Sequence, residues 1–193
     1  MSDTTTYQST ARALLPAAAA AFTERVRAVP PERWSEQSPC AEWTVRDVVN
    51  HMTYEQRWVP PLLAGKTIAE VGDQFEGDLL GADPVGAWED AIAAALRSWA
   101  MAREDQEVNL SSGPSPAREY AEEMLLDLVV HGWDVARGAG LDERLDPSLV
   151  SHVLAYAEPH AEEYAGSGLF GTPVETDRTD DQSRLLAMLG RDP

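Results

Sequence analysis

The chain has 193 residues, of which 44% are hydrophobic, and this is typical of one globular domain with a substantial apolar core. A formal net charge of −18 argues against electrostatic binding to nucleic acid or to anionic lipid. The single cysteine, Cys40, excludes an intrachain disulfide framework, and we expect neither a signal peptide nor a membrane span, so the predicted location is cytoplasmic.

The first predicted helix covers Thr5–Val29, where an alanine run and apolar residues at helical spacing precede two prolines. The connection that follows contains Cys40. A nucleophilic cysteine requires a nearby base or cation, whereas the local neighbours here include Glu36 and Glu42. The sequence therefore does not favour a catalytic role for Cys40.

The second predicted helix begins at Thr44, because Thr44 and Asp47 have the spacing of a capping box. It ends by Val59, before two prolines, or continues to Ala64. His51 lies beside its apolar face, and we consider it a candidate metal ligand.

The middle of the chain is predicted to contain a surface loop and a third helix. Residues 66–82 are rich in glycine and are interpreted as the loop. Asp83 caps the third helix, which extends to about Glu104. Residues 109–116 are interpreted as a break, and we expect no pair of β-strands.

The fourth predicted helix, Tyr120–Arg137, is apolar nearly all round but polar along one stripe. Asp127 and His131 are four residues apart on that stripe, with Glu123 one turn before them and Asp134 one turn after His131. A polar stripe on a buried helix needs a partner. A bound metal ion is one candidate, and an ordinary ion pair is the alternative.

The C-terminal part is predicted to hold a fifth helix capped by Asp146 and interrupted at Pro159, and a short last helix over Gln182–Leu189. The predicted fold class is all-α. We expect all 193 residues to form one four-helix bundle domain, with segment 166–193 packed on the bundle.

His51 from the second helix would meet Asp127 and His131 from the fourth inside such a bundle. Imidazole nitrogen and carboxylate oxygen are suitable ligands for zinc and similar ions, and three protein ligands leave one position open. We therefore predict that these three side chains converge.

Three separated segments resemble a known family. SPCAEWTVRDVVNHMTYE (38–55) and LVVHGWDVARGAG (128–140) resemble two signatures of the DinB/YfiT-like superfamily, in its mycothiol-dependent maleylpyruvate isomerase branch. The ending DDQSRLLAMLGRDP (180–193) is similar to the closing segment of a single-domain metal-binding subgroup of that branch.

The resemblance implies a four-helix bundle and a divalent metal ion held by His51, Asp127 and His131. The isomerase branch often has glutamate where this chain has Asp127. The resemblance also assigns a functional role to Asp134, for which the alternative is an ion pair with Arg137 at the helix end. The isomerase has a further C-terminal domain that supplies an arginine to its site, and this chain ends at Pro193, so we do not expect activity on maleylpyruvate.

The function implied by the resemblance is that of a metal-dependent transferase or isomerase that uses a small thiol, such as mycothiol, and acts on a small-molecule substrate. Zinc is the expected metal, with nickel, iron or manganese as alternatives. Asp134 would orient a neighbouring group or move a proton. There are two rival functions: a metal-dependent hydrolase, and a non-catalytic protein that binds a metal or another ligand. A pocket too closed for a thiol would favour the non-catalytic protein. A homodimer is left open.

Overall fold

Four long helices form the body of the protein in the computed structural model, which describes residues 10–167 and 170–193. In chain order, the helices are α1 (Thr10–Ala28), α2 (Val45–Leu63), α3 (Ile68–Val71), α4 (Pro84–Met101), α5 (Ala117–Ala139), α6 (Pro147–Ala157), α7 (Ala161–Ser167) and α8 (Asp181–Met188). Helices α1 and α2 each pack against both α4 and α5, which closes a four-helix bundle. The predicted all-α class is confirmed.

Local signals set the ends of α2. Thr44 and Asp47 form the predicted capping box, in which the Thr44 amide donates to Asp47 Oδ2 at 2.9 Å and the Asp47 amide donates to Thr44 Oγ1 at 3.2 Å. The helix continues through the two prolines to Leu63, which is the longer of the two predicted ends. For α1 the described part begins at Thr10, so the predicted start at Thr5 lies outside the described residues.

The prediction that the chain has no paired strands was wrong. Strands β1 (Glu107–Leu110) and β2 (Gly113–Pro116) form an antiparallel hairpin, with Leu110 opposite Gly113. Gly113 has φ +120°, a conformation that glycine adopts without strain, and Val108 is fully buried and anchors the hairpin to the core. A two-stranded sheet has only edge strands, which tolerate the prolines of β2.

The C-terminal helices lie beside the bundle. Helix α6 begins at the predicted cap Asp146, whose side chain accepts hydrogen bonds from the Ser148 and Leu149 amides. It packs against α5 and α8, and α8 leads into the last residues of the chain. Among the described residues, no helix has the length and apolarity needed to cross a membrane.

Gly138 on α5 lies close to the start of α2 and to the segment that precedes it. A Cβ atom at Gly138 would lie 2.7 Å from Val45 Cγ2 and 3.3 Å from the Gln37 carbonyl oxygen. We predict that Gly138→Ala lowers the free energy of unfolding by about 1–3 kcal/mol, because the extra methyl group overpacks this contact. Urea denaturation measures the change.

Gly132→Ala is the matched control on the same helix. A Cβ atom at Gly132 would meet its nearest neighbour, Phe22, at 3.7 Å, an ordinary contact. Because alanine is the better helix former, this variant should be neutral or more stable by up to about 1 kcal/mol. Equal destabilisation by the two substitutions would contradict a specific close approach at Gly138.

Candidate active site

A cavity of about 900 Å³ opens between α2, α5 and the C-terminal residues. Its volume lies at the upper end of the range of about 300–1,000 Å³ found for small-molecule sites. Its polar wall includes His51, Glu55, Glu123, Asp127 and His131. All three predicted metal ligands therefore line one cavity.

Two helix faces supply this polar wall. His51 and Glu55 are one turn apart on α2, and Glu123, Asp127 and His131 follow at successive turns on α5. Because α2 packs against α5, the two rows face the same space. The sequence predicted the α5 row from its spacing, but only the packed structure adds Glu55.

The imidazole rings of His51 and His131 are neighbours. Their centroids are 5.1 Å apart and the rings meet edge to face. Trp43 lies beside both, with centroid distances of 4.9 Å to His51 and 6.1 Å to His131. Burial, and then the charge of His131, lower the pKa of His51 to about 3, so His51 is a neutral imidazole with a lone pair at neutral pH.

Asp134 holds the ring of His131, as their spacing predicted. His131 Nδ1 lies 2.9 Å from Asp134 Oδ2, and Asp134 is fully buried. Burial alone would raise the pKa of Asp134, but the hydrogen bond from His131 and the charge of Arg191 hold it well below its usual range. Asp134 is therefore a carboxylate that accepts from His131 Nδ1–H, which leaves Nε2 as the ring nitrogen that Asp134 does not engage. Burial lowers the pKa of His131, but the hydrogen bonds with Asp134 and Cys40 and the nearby carboxylate charges raise it to about 10.

The partner of Asp134 is Arg191, from the end of the chain. Arg191 Nη2 donates to Asp134 Oδ2 at 2.8 Å, and Nε donates to Oδ1 at 3.2 Å. The alternative in which Asp134 pairs with Arg137 is therefore wrong. Arg137 instead forms an ion pair with Glu143 at 2.8 Å and stacks over Trp133, because it lies on the outer side of the helix.

Cys40 also lies in this cluster, which the sequence did not indicate. Its Sγ is 3.1 Å from Asp134 Oδ2, 3.3 Å from Arg191 Nη2 and 3.8 Å from His131 Nδ1. The positively charged neighbour of Cys40 is therefore Arg191, which lies 151 positions further along the chain. The similarity of the chain ending to a metal-binding subgroup was the one sequence signal that pointed to this segment.

Two groups of side chains are candidate metal ligands. Within the part of the chain that the structure describes, Cys40, His131 and Asp134 form the one group whose ligand atoms all lie within 4.8 Å of one another. The guanidinium of Arg191 already contacts both Cys40 and Asp134, and it supplies the positive charge that an ion would bring.

The predicted set of His51, Asp127 and His131 does not meet this 4.8 Å criterion among the described residues. Its side chains differ from the first group in having few partners. Among the described residues, neither His51 nor Asp127 makes a side-chain hydrogen bond, so their ligand atoms are not committed to a protein partner. Burial raises the pKa of Asp127 above its usual value, and a cation beside it would offset that cost. Two imidazoles and one carboxylate are a donor set that zinc accepts.

Two further carboxylates stand next to this set. Burial, followed by the charge of Asp127, raises the pKa of Glu55 to about 8 and that of Glu123 to about 7. Neither glutamate forms an ion pair with a lysine or arginine in residues 10–167 and 170–193. Both glutamates therefore take up protons near neutral pH, and a cation placed beside them would favour their charged forms.

The fold and the cavity define a helical bundle with histidines and carboxylates facing an internal site. The family model of the mycothiol maleylpyruvate isomerase N-terminal domain matches residues 15–136. This match covers most of the chain, and the protein belongs to that family, as the resemblance implied. It includes His51, Asp127, His131 and Asp134 and ends before Arg191. No curated protein and no solved structure matches the chain.

Proposed function

We propose that the protein binds a divalent metal ion, zinc in the first instance, through His51, Asp127 and His131. With that ion it would act as a transferase or isomerase that uses a small thiol such as mycothiol and converts a small molecule. The observation that carries the proposal is the orientation of His131. Its Nδ1 is hydrogen-bonded to Asp134 Oδ2 at 2.9 Å, and its ring borders the cavity that His51 and Asp127 also line. Nickel, iron or manganese would suit the same donors.

The residues of the chain have separate tasks in this proposal. When bound, the ion would supply a Lewis-acid position at which a thiol loses its proton near neutral pH. His51 offers a neutral nitrogen, and Asp134 keeps His131 in one tautomer and one orientation. Arg191 holds the Asp134 carboxylate through both of its oxygens, at 2.8 Å and 3.2 Å. The cavity of about 900 Å³ has room for a thiol and a substrate together, which favours an enzyme over a closed binding protein.

The test is an activity screen with metal-replete protein, in the presence and in the absence of mycothiol, against a panel of small electrophiles and cis-trans isomerisable acids. The expected result is turnover that requires both the ion and the thiol. Metal-stripped protein is the control. Metal-dependent turnover without any thiol would favour a hydrolase, and metal binding without turnover would favour a non-catalytic protein; both results contradict the proposal.

We predict that Asp134→Asn slows turnover about 10- to 100-fold, the usual cost of losing a partner that orients a metal-binding histidine. Zinc content should fall much less, because Asp134 is assigned to orientation and not to coordination. Arg191→Gln is the control, since both variants break the Asp134–Arg191 pair but only Asp134→Asn also alters the bond to His131. Turnover is compared at a temperature at which circular dichroism shows both variants to be folded. Equal losses in the two variants would assign the effect to the ion pair alone.

A further inference from the structure

The negative wall of the cavity extends beyond the predicted metal ligands. Five carboxylates line the cavity, namely Glu55, Glu119, Glu123, Asp127 and Glu163. In the described ranges none of them forms an ion pair with a lysine or arginine. Arg191 is the one arginine or lysine among the described lining residues, and it is bound to Asp134. The lining imidazole of His131, whose pKa is raised to about 10, is bound to the same carboxylate. A cavity with this balance of charge favours a cationic occupant.

A second, independent observation points to a ligand at the same wall. Tyr120 is 2% exposed and borders the cavity, yet its hydroxyl has no hydrogen-bond partner in the part of the chain that the structure describes. A buried polar group left unbonded costs about 1–3 kcal/mol. The Tyr120 hydroxyl would therefore gain a hydrogen bond from a ligand donor that reaches it from the cavity.

The Tyr120 hydroxyl shares the cavity with two of the carboxylates, Glu55 and Glu123. Burial raises the pKa of Tyr120, and the charges of Glu55 and Glu123 raise it further. All three oxygen-bearing groups can accept a hydrogen bond. Trp43 and Tyr54 add aromatic faces to the same cavity. Acceptor oxygens together with aromatic rings are the environment that organic cations prefer.

We infer that the substrate taken by this cavity is a small molecule with a primary ammonium group, held by Glu55, Glu123 and the Tyr120 hydroxyl. The three N–H donors of an ammonium group match these three acceptors. Glu55 follows His51 by one turn and Glu123 precedes Asp127 by one turn, so the ammonium lies roughly 5–6 Å along the helices from the metal ligands. This inference rests on the proposed function, because it places the substrate of the proposed reaction in the cavity that the proposed metal ligands line.

The experiment compares three probes of one shape and different charge: benzylamine, benzyl alcohol and benzoate. Binding to the full-length protein is measured by tryptophan fluorescence and calorimetry at neutral pH, with zinc-loaded protein and with chelator-treated protein. Benzylamine should bind at least about tenfold more tightly than benzyl alcohol, because a charge-assisted hydrogen bond and a cation–π contact are added. Benzoate should bind most weakly.

The double substitution Glu55→Gln and Glu123→Gln should abolish the preference for benzylamine. The control is Glu24→Gln with Glu32→Gln, which removes two charges from exposed glutamates outside the cavity and should keep the preference. The cavity variant should remain folded with an unchanged or higher melting temperature, since it loses two half-buried acidic groups whose charged forms are disfavoured by burial and by the charge of Asp127. Circular dichroism checks this.

Equal binding of benzylamine and benzyl alcohol, or a preference that survives the cavity substitutions, would overturn the inference. So would a second divalent ion that the cavity substitutions release while benzylamine binding is unaffected. Loss of the benzylamine preference with metal- and thiol-dependent turnover intact would overturn this inference alone. A benzylamine preference in a protein that binds no metal would overturn the proposed function alone.

Discussion

Replacing Arg191 with methionine is expected to lower the free energy of unfolding by about 3–5 kcal/mol, the usual cost of leaving a buried charge without its partner. Asp134 is fully buried and Arg191 is 6% exposed, and two hydrogen bonds of 2.8 and 3.2 Å join them. Methionine retains much of the volume of the arginine side chain but none of its charge. Urea denaturation followed by circular dichroism measures the effect.

Arg144→Met is the matched control, because it removes an arginine from an exposed ion pair with Asp142. Exposed pairs contribute about 0–1 kcal/mol, so this variant should be nearly as stable as the parent protein. Combining Arg191→Met with Asp134→Leu should restore part of the lost stability, since no buried charge is then left unpaired. Similar small effects at Arg191 and Arg144 would show that the buried pair does not stabilise the fold.

The substitution His51→Ala should remove most of the metal affinity and little of the helix content. Removing a residue that orients a metal-binding histidine lowers metal affinity by at most about 100-fold. Removing a ligand itself should lower metal affinity further. The core of the bundle is apolar and does not depend on His51. Zinc affinity is measured by competition with a chromophoric chelator, and helix content by circular dichroism.

His152→Ala is the control, because His152 pairs with Glu122 and does not line the cavity. Cys40→Ala should likewise retain the affinity, since Cys40 belongs to the other group of candidate ligands. If metal-stripped protein or His51→Ala unfolds outright, the ion is structural and not catalytic. Unchanged affinity in His51→Ala would remove His51 from the ligand set.

The elements that the sequence predicted well are those with strong local signals. The capping box at Thr44, the cap at Asp146 and the apolar periodicity of α5 each act within one or two turns, so the sequence shows them directly. The hairpin over 107–116 escaped prediction because its serine, glycine and proline content is typical of a loop. Its strands depend on a buried Val108, which only tertiary packing reveals.

The candidate site also contains residues that the sequence could place and residues that it could not. The Asp127–His131–Asp134 row follows from helical spacing, and the structure confirms the contact between His131 and Asp134. Arg191 and Cys40 could not be placed there by spacing, since they are 151 positions apart and meet only when the C-terminal segment packs on the bundle. For the same reason, the alternative role predicted for Asp134 was an ion pair with the nearer Arg137.

The most direct test of the metal site is zinc X-ray absorption spectroscopy on the protein loaded with one equivalent of zinc in thiol-free buffer. The proposed ligands predict two imidazoles and further oxygen donors at about 2.0–2.2 Å, with no sulfur. The alternative group would add a sulfur at about 2.3 Å from Cys40. Nitrogen and oxygen scattering alone, with histidine multiple scattering, is the predicted result, and a zinc–sulfur distance or the absence of bound zinc would contradict it.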